Sequence, residues 1–360
     1  MLQLQNISLT QFRNYIYQQH NFTNNIVGIC GANGAGKTNL LDAIYYLSFC
    51  KSYFNRTDNS NITHNYQGFR LEGNFKLNSI DNNVTCILRE NNKKEFYFNN
   101  EEYKKLSNHI GQLPCVIIAP DDVELVSGAS ELRRKFVDII LSQTNANYLQ
   151  VLIEYNNLLL QRNSLLKQQV LTGKLDDTLF EIITDQLAQK GTFIFSIRNE
   201  FLQGFIPLII KNYQAIANTN DNLICNYQSQ LLSKSFTELL HQSLQIDFAV
   251  QRTTTGIHKD DIEFLMGENK FKTEASQGQR KSLLFALKLS EWQTLKQHKG
   301  FSPILLLDDV FEKLDAERMS NLLHIVSNEN DSQIFITDTH KQRLKLQLQS
   351  LNKAFEIIEV

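Results

Sequence analysis

Gly31-Ala32-Asn33-Gly34-Ala35-Gly36-Lys37-Thr38 is the stretch that decides the fold, because it satisfies the pattern GxxxxGK[ST]. It follows the strand-like run Asn25-Ile26-Val27-Gly28-Ile29-Cys30 and precedes a helix predicted from about Lys37 to Phe49. Glycines let backbone N–H groups curl around a phosphate, and the helix N-terminus adds the positive end of its dipole. We therefore expect Lys37 to bridge the terminal phosphates of a nucleotide and the Thr38 hydroxyl to reach Mg²⁺.

A second motif supplies the acids that such a site needs. The run Ile304-Leu305-Leu306-Leu307-Asp308-Asp309 predicts a buried parallel strand that ends in two carboxylates. We expect Asp308 to hold the Mg²⁺ shell and Asp309 to polarise the attacking water as general base, so Asp309 and Lys37 are the predicted catalytic residues. The alternative, a strand followed by an acidic turn, is weaker because the loop at 31–38 already requires an acid there.

Short apolar and β-branched runs surround these motifs. The first residues alternate apolar and polar side chains, and later β-rich runs separated by Asn, Asp and Lys clusters indicate an antiparallel meander. The predicted elements are strands at 69–75, 84–88, 96–98, 115–119, 304–307 and 334–336 and a helix at 279–294.

The middle of the chain has a different pattern. From 147 to 170, apolar residues recur at spacings of three and four, which predicts a long amphipathic helix. After the turn Thr172-Gly173-Lys174, a second such helix begins near Asp177 and continues through Phe205. The pair is either an antiparallel hairpin inserted into an α/β domain or an ordinary pair of core helices.

Composition and charge exclude several classes of protein. The chain of 360 residues has 36 Lys+Arg against 38 Asp+Glu, so any DNA site must be a local patch. No apolar stretch approaches the roughly 18–20 residues of a membrane span, and no secretory signal opens the sequence, so we expect a cytoplasmic protein without a membrane partner. The five cysteines are expected to be reduced and buried, and neither they nor the eight histidines have zinc-site spacing.

Between the two nucleotide motifs lies the turn Ala275-Ser276-Gln277-Gly278-Gln279. Taken alone, it is an ordinary helix N-cap followed by glycine. Placed between a phosphate loop and an acidic strand, it resembles the signature motif of ABC-type ATPases, which binds the γ-phosphate held by the other subunit. The resemblance implies a head-to-tail, ATP-dependent homodimer, with Ser276, Gly278 and Gln279 as nucleotide ligands. Leu314-Asp315 resembles the D-loop of the same class.

Over the whole chain the sequence is similar to the RecF family, bacterial recombination and replication-repair ATPases related to the SMC proteins. The segments that carry the resemblance are Phe12-Arg13-Asn14-Tyr15, 34–41 with Asn39 as a further nucleotide-site residue, 119–128, 133–138, 256–261, 276–282 and Asp308-Asp309-Val310. The resemblance implies an α/β fold, an ABC/SMC-type P-loop ATPase head with an inserted α-helical arm. We place the head at 1–125 and 251–360 and the arm at 126–250.

The resemblance also implies a function, with ATP and Mg²⁺ as cofactors. In the family, an ATP-driven dimer clamps DNA, slow DNA-dependent hydrolysis releases it, and RecO and RecR assist in loading RecA at single-strand gaps. That activity supports replication, repair and the SOS response, and it places the protein at the nucleoid. The candidate contacts to single-stranded or duplex DNA are basic residues, although such runs are also typical of a solvated face: Arg133, Arg134, Lys135, Lys51 and Arg56.

The chain departs from the family pattern at a few positions. It has Ile257 and Lys259 where the family usually has Pro and Arg, and Asp121 where the family usually has Glu. Lysine keeps the charge of arginine but lacks the fork that binds a carboxylate or phosphate in two places.

Three other kinds of protein share the phosphate loop. A nucleotide kinase would need a basic lid over a phosphoryl acceptor, which neither the long helices nor the signature segment suits. A chromosome-organising ATPase would need a far longer coiled coil, and a transporter ATPase would need a membrane-domain partner.

Overall fold

The computed structural model describes residues 1–55, 57–217, 221–310, 316–327 and 332–360. These residues fold into two units. The first comprises Met1–Asp122, 215–217 and Lys281–Val360, and the second comprises Val123–Gln214 and 221–280. The first unit is therefore interrupted in sequence by the second, as an inserted domain requires.

Strands dominate the first third of the chain, and long helices dominate the middle. The described strands are β1 Leu2–Phe12, β2 Tyr15–Asn21, β3 Ile26–Cys30, β4 Phe69–Leu77, β5 Ile80–Leu88, β6 Lys94–Phe98, β7 Glu101–Glu102, β8 Cys115–Ile118, β9 Leu223–Gln228, β10 Asp261–Met266, β11 Asn269–Lys270, β12 Ile304–Leu307, β13 Ile334–Asp338 and β14 Phe355–Glu359. The described α-helices are α1 Lys37–Phe49, α2 Glu124–Ser127, α3 Ser130–Thr144, α4 Ala146–Thr172, α5 Asp177–Ala217, α6 Phe236–Val250, α7 Phe271–Glu274, α8 Gln277–Lys299, α9 Ala316–Ser327 and α10 Lys341–Gln349.

A parallel sheet forms the centre of the first unit, with the strand order β14-β3-β13-β12-β8. Every residue of β3, β8, β12 and β13 is buried, which is the pattern of strands covered on both faces. Because these strands are parallel, their carboxyl ends lie at one edge of the sheet. That edge carries Gly31 after β3, Asp338 at the end of β13 and Asp308 after β12.

The other sheet of the first unit is antiparallel, with the order β2-β1-β4-β5-β6-β7. Its strands β4, β5 and β6 confirm the predicted meander. In β1 the alternating residues Leu2, Leu4, Ile7 and Leu9 are buried in the core. The tight turn from β1 to β2, where Phe12 pairs with Tyr15, reaches the phosphate loop.

The cysteines are core residues of both units. All five are buried, as predicted: Cys30, Cys50, Cys86, Cys115 and Cys225. Burial raises the pKa of the Cys225 thiol to about 12, so its reactive thiolate form is disfavoured at neutral pH.

The second unit is mainly helical, as predicted for the middle of the chain. Helices α4 and α5 are antiparallel neighbours, since Glu154 pairs with Lys190 (2.6 Å) and Arg162 donates a hydrogen bond to Thr184 (3.2 Å). Gly173, with φ of 69°, ends α4 in the left-handed conformation that favours glycine. These contacts confirm the hairpin of two long helices.

By length and composition alone, α5 is apolar enough to cross a membrane. Its side chains Leu187, Ile194 and Leu202 are buried, and Arg198 at its middle forms an ion pair with Asp138 (2.8 Å). One face of α5, which includes these residues, is therefore packed inside the second unit.

The boundaries of the two units differ from the predicted ones at one point. The first break, after Asp122, lies close to the predicted 125, but the second lies after Arg280 instead of after 250. Residues 251–280 join the helical unit because β10 pairs with β9 and because Arg198 donates a hydrogen bond to the Ile257 carbonyl oxygen (2.9 Å). Periodicity along the chain does not reveal pairings of this kind.

Candidate active site

The phosphate loop lies between β3 and α1. Gly34 and Gly36 have φ angles of 83° and 121°, which other residues rarely adopt, so both positions require glycine. Lys37 lies over the loop, where its Nζ donates hydrogen bonds to the carbonyl oxygens of Gly31 (3.0 Å) and Ala32 (3.2 Å). Because α1 begins at Lys37, the N–H groups of its first turn and its positive dipole end border the loop. This is an anion-binding arrangement.

The turn between β1 and β2 holds the phosphate loop in place. Tyr15 donates a hydrogen bond to the Gly36 carbonyl oxygen (3.0 Å), and Asn14 donates one to the Ala35 carbonyl oxygen (2.8 Å). The approach is so close that a Cβ on Gly36 would lie 2.6 Å from the Tyr15 hydroxyl oxygen. Glycine at this position is therefore required by contact as well as by backbone conformation.

Arg13 extends this support to α1. Its guanidinium pairs with the buried carboxylate of Asp42 (2.5 Å) and donates a hydrogen bond to the side-chain oxygen of Asn39 (3.1 Å). Asn39 in turn donates to Asn14 (2.7 Å), so this predicted nucleotide ligand is engaged by the turn. The Arg13–Asp42 pair carries no signal in sequence spacing, because only the packing of the turn against α1 brings it together.

Asp308 faces the phosphate loop across the sheet edge. Both its carboxylate oxygens accept from the Thr38 hydroxyl at 2.9 Å, and Oδ1 also accepts from Thr337 at 3.0 Å. Burial raises the pKa of Asp308 to about 6, although the two hydroxyls oppose the rise. The two predicted Mg²⁺ residues, Thr38 and Asp308, are thus in direct contact.

The donor set of this pair suits Mg²⁺. Hydroxyl and carboxylate oxygens are the hard ligands that Mg²⁺ takes in nucleotide sites. A cation at this point would also offset the cost of burying an ionised Asp308. Thr38 and Asp308 would hold the ion, which would neutralise charge on the phosphates.

Asp309 follows in a left-handed backbone conformation. Its φ of 44° costs a residue other than glycine about 1 kcal/mol. Its N–H donates a hydrogen bond to Thr337 Oγ1 (2.8 Å), and its side chain is partly exposed at the carboxyl edge of the sheet. Water can therefore reach this carboxylate, as a general base requires, and that role stays a prediction.

Two further residues at the sheet edge received no role from the sequence pattern. Thr337 and Asp338 end β13, which lies between β3 and β12. Asp338 is buried, pairs with Arg343 (2.6 Å) and accepts a hydrogen bond from the His340 N–H (2.8 Å). The available signal was two polar residues at the end of a strand that is otherwise apolar.

The signature segment opens α8, and its first residues belong to the second unit. Ser276 Oγ accepts from the Gln279 N–H (3.2 Å) while Gln279 Oε1 accepts from the Ser276 N–H (2.9 Å), which is a reciprocal capping box. Gln279 also donates to Asp221 (3.1 Å). The Ser276 hydroxyl is an acceptor in the capping box, which leaves its own proton to donate to an anion. Binding of a partner's nucleotide by Ser276, Gly278 and Gln279 stays a prediction.

Arg133 and Arg134 are engaged within the second unit. Arg133 is buried and forms a two-point ion pair with Asp261, at 2.6 Å from Nε and 3.0 Å from the terminal nitrogen. Arg134 donates a hydrogen bond to the Asp260 carbonyl oxygen (2.7 Å). Both guanidiniums are engaged within the helical unit in this structure, and their contact with DNA stays a prediction.

The other DNA candidates have different positions. Lys135 on α3 and Lys51 after α1 have exposed side chains and stay candidates. Arg56 lies outside the described residues, as does the predicted D-loop Leu314-Asp315.

A phosphate loop in contact with an acidic strand end, together with a capped signature helix, defines an ABC- and SMC-type P-loop ATPase. The family model described as RecF/RecN/SMC N terminal domain matches residues 3–357. An Smc head domain with an extended coiled coil, derived from Pyrococcus furiosus, has a similar fold at 13% identity. Its TM-score is 0.56 over 100% of this chain and 94% of that chain.

Within this class, the chain belongs to the RecF family of DNA replication and repair proteins. It is 38% identical to the DNA replication and repair protein RecF of Flavobacterium johnsoniae over 100% of both chains. It is also 38% identical to the RecF of Bacteroides thetaiotaomicron over 99% of this chain and 96% of that protein. A solved structure described as the recombination mediator protein RecF-ATPrS in the RecFOR pathway has a TM-score of 0.88 at 28% identity, covering 100% and 96% of the two chains. The resemblance and the fold class inferred from the sequence are thereby confirmed.

Proposed function

We propose that this chain is a slow, DNA-dependent ATPase whose ATP-driven dimer clamps DNA and whose hydrolysis of ATP releases it. The contact between Thr38 and Asp308 carries the proposal, because it joins the phosphate loop and the acidic strand end into one site. Asp309 lies directly beside that contact. Membership of the RecF family supports DNA as the partner.

In the proposed reaction, loop N–H groups and the charge of Lys37 hold the phosphates of ATP. Thr38 and Asp308 hold Mg²⁺. Asp309 accepts a proton from the attacking water, and the γ-phosphoryl group passes to that water to give ADP and phosphate. The Ser276 hydroxyl donates a hydrogen bond to the γ-phosphate held by the partner subunit, so that ATP joins two copies of the chain.

We also propose where the clamp acts. It binds at single-strand gaps, where single-stranded and duplex DNA meet, and acts with RecO and RecR in loading RecA, in support of replication and the SOS response. This function places the protein in the cytoplasm, at the nucleoid. The names of the relatives support the assignment, since they are replication and repair proteins and the solved ones are described in the RecFOR pathway.

The proposal is tested by binding to a gapped duplex, measured by fluorescence anisotropy with and without ATP across a salt series. Particle mass is measured alongside. We expect ATP to double the mass and to tighten DNA binding, with a log-linear loss of affinity as salt rises. ATP binding without a response in mass or in DNA affinity would contradict the clamp.

Two variants separate the steps. Lys37→Ala removes the positive charge that contacts the terminal phosphates of ATP, so ATP binding should be lost. Ser276→Arg places a bulky cation at the start of α8, so it should block the ATP-dependent dimer while each monomer still binds nucleotide. A normal dimer of Ser276→Arg would show that the signature segment does not act across subunits.

A further inference from the structure

Thr337 contacts both acids of the candidate site. It is fully buried in β13, which pairs in parallel with β12. Its Oγ1 accepts a hydrogen bond from the Asp309 N–H at 2.8 Å and donates one to Asp308 Oδ1 at 3.0 Å. Asp309 Oδ1 lies farther away, at 3.5 Å, which is at the limit for a hydrogen bond.

A threonine hydroxyl has a single proton, so it cannot serve both carboxylates equally. The distances direct the proton of Thr337 to Asp308 and leave a lone pair for the Asp309 N–H. Thr337 therefore restrains Asp309 through its backbone and Asp308 through its carboxylate.

The backbone restraint matters because Asp309 has a φ of 44°. A residue other than glycine keeps a left-handed conformation only where its surroundings hold it. The hydrogen bond from the Asp309 N–H to Thr337 is such a restraint, and it comes from the neighbouring strand. Without it, the chain after β12 can relax and redirect both carboxylates.

We propose that Thr337 is a positioning residue for ATP hydrolysis, which fixes Asp308 toward Mg²⁺ and Asp309 toward the attacking water. This inference rests on the proposed function, because it assumes the roles given there to the two acids. Nothing in it requires Thr337 to touch the nucleotide.

The test replaces the hydroxyl without changing the shape of the side chain. Thr337→Val removes both hydrogen bonds, Thr337→Ser keeps the hydroxyl, and Thr85→Val is the matched control. Thr85 is also a buried strand threonine of the first unit, and its hydroxyl donates to Asn83 instead of to a site residue.

We expect Thr337→Val to lower kcat for ATP by about tenfold to a hundredfold, the effect of losing a hydrogen bond to a charged group. The KM for ATP should change less than about threefold, because the contacts of Lys37 to the phosphates are untouched. Thr337→Ser should keep kcat within about threefold of the unmodified protein, and Thr85→Val should not change it.

A second readout does not depend on turnover. Binding of a fluorescent ATP analogue is measured with Mg²⁺ and again with EDTA, and the ratio of the two affinities reports how well Thr38 and Asp308 hold the ion. Thr337→Val should reduce this ratio about tenfold and leave the affinity in EDTA unchanged. Thr337→Ser and Thr85→Val should keep the original ratio.

The proposal is overturned if Thr337→Val leaves both kcat and the Mg²⁺ ratio unchanged, or if Thr337→Ser loses as much as Thr337→Val. If Thr337→Val fails to fold, Thr337→Ala is compared with Thr337→Ser instead, because these two side chains differ only by the hydroxyl oxygen. Failure of the clamp hypothesis is detected separately, because ATP would then change neither the particle mass nor the DNA affinity of the unmodified protein. If that protein binds ATP without hydrolysing it, the Mg²⁺ ratio still decides the role of Thr337.

Discussion

Buried carboxylates are compensated differently at two sites, one in each unit. In the helical unit, Arg162 and Asp247 form an ion pair at 2.8 Å in which both side chains are fully buried. In the first unit, the buried carboxylate of Asp308 is contacted by the hydroxyls of Thr38 and Thr337. A carboxylate paired with arginine is neutralised within the fold, whereas a carboxylate contacted by hydroxyls keeps its charge for a ligand.

This difference separates charge that stabilises the fold from charge that serves a ligand. Burial raises the pKa of Asp308 to about 6, so its ionised form is costly until a cation arrives. Arg198 has the opposite environment, since it lies against Asp138 and Asp260 and its pKa is raised further. We therefore expect substitutions of Asp308 and Asp309 to affect catalysis and substitutions of Arg162 and Arg198 to affect stability.

The largest effect should come from Asp309→Asn, which removes the base and keeps the size of the side chain. We expect ATP to bind and the dimer to form, with kcat lower by about 10²–10⁴-fold, the usual contribution of general-base catalysis. Turnover and particle mass with ATP are the measurements. Unaltered turnover would remove Asp309 as the base.

Arg162→Met tests whether the buried pair of Arg162 and Asp247 stabilises the fold. It leaves the carboxylate of Asp247 buried without its partner, which should lower the free energy of unfolding by about 3–5 kcal/mol. The double variant Arg162→Met with Asp247→Leu should recover most of the loss, and urea unfolding followed by circular dichroism measures both. A single variant that loses less than about 1 kcal/mol would contradict the assignment.

Glu291 on α8 is intermediate between a carboxylate paired with a cation and one contacted only by hydroxyls. It is buried and lies 3.6 Å from Lys288. Burial nevertheless raises its pKa to about 7. Since its unfolded value is 4.5, the folded chain binds more protons between these two values, and its contribution to stability is lost as pH rises through 7. Glu291→Gln should flatten this part of the pH dependence of unfolding, by up to about 3 kcal/mol over the window. Parallel curves for the two proteins, measured without nucleotide, would contradict it.

The smallest effect should come from Lys135→Ala, because an exposed lysine contributes at most one phosphate contact. We expect DNA affinity to fall a few-fold and the slope of log affinity against log salt to decrease by about one. Arg133→Ala is the contrasting variant, since its two-point pair with Asp261 predicts a loss of stability instead. Equal effects of the two variants on the salt slope would reverse this distinction.

What the sequence predicted well is local in the chain. The glycines at 34 and 36 are required by backbone conformation within the loop itself, and β12 with its two acids is a continuous run. The long helices α4 and α5 follow from the spacing of their apolar residues. Each of these features can be inferred from neighbouring residues alone.

What the sequence could not predict depends on partners far along the chain. Arg133 is identifiable as a cation, but only the structure shows that Asp261 already pairs with it. Thr337 appears as one polar residue at a strand end, and its contacts to both acids exist because β13 lies beside β12. A sequence shows which charges a protein has, whereas the fold decides which of them are already compensated.

The pairing of β3 has a consequence for how the protein is made. The strand that leads into the phosphate loop has β13 on one side and β14 on the other, with Ile26 opposite both Ile334 and Phe355. A ribosome working at about 5–20 residues per second needs about 10–40 s to travel from Asp122 to Ile334. During that time β3 has neither β13 nor β14 to pair with, while the whole helical unit is synthesised. The ATP site can therefore be completed only after the helical unit has been synthesised, and a nascent chain stalled before β13 has the whole arm but lacks Thr337 and both neighbours of β3.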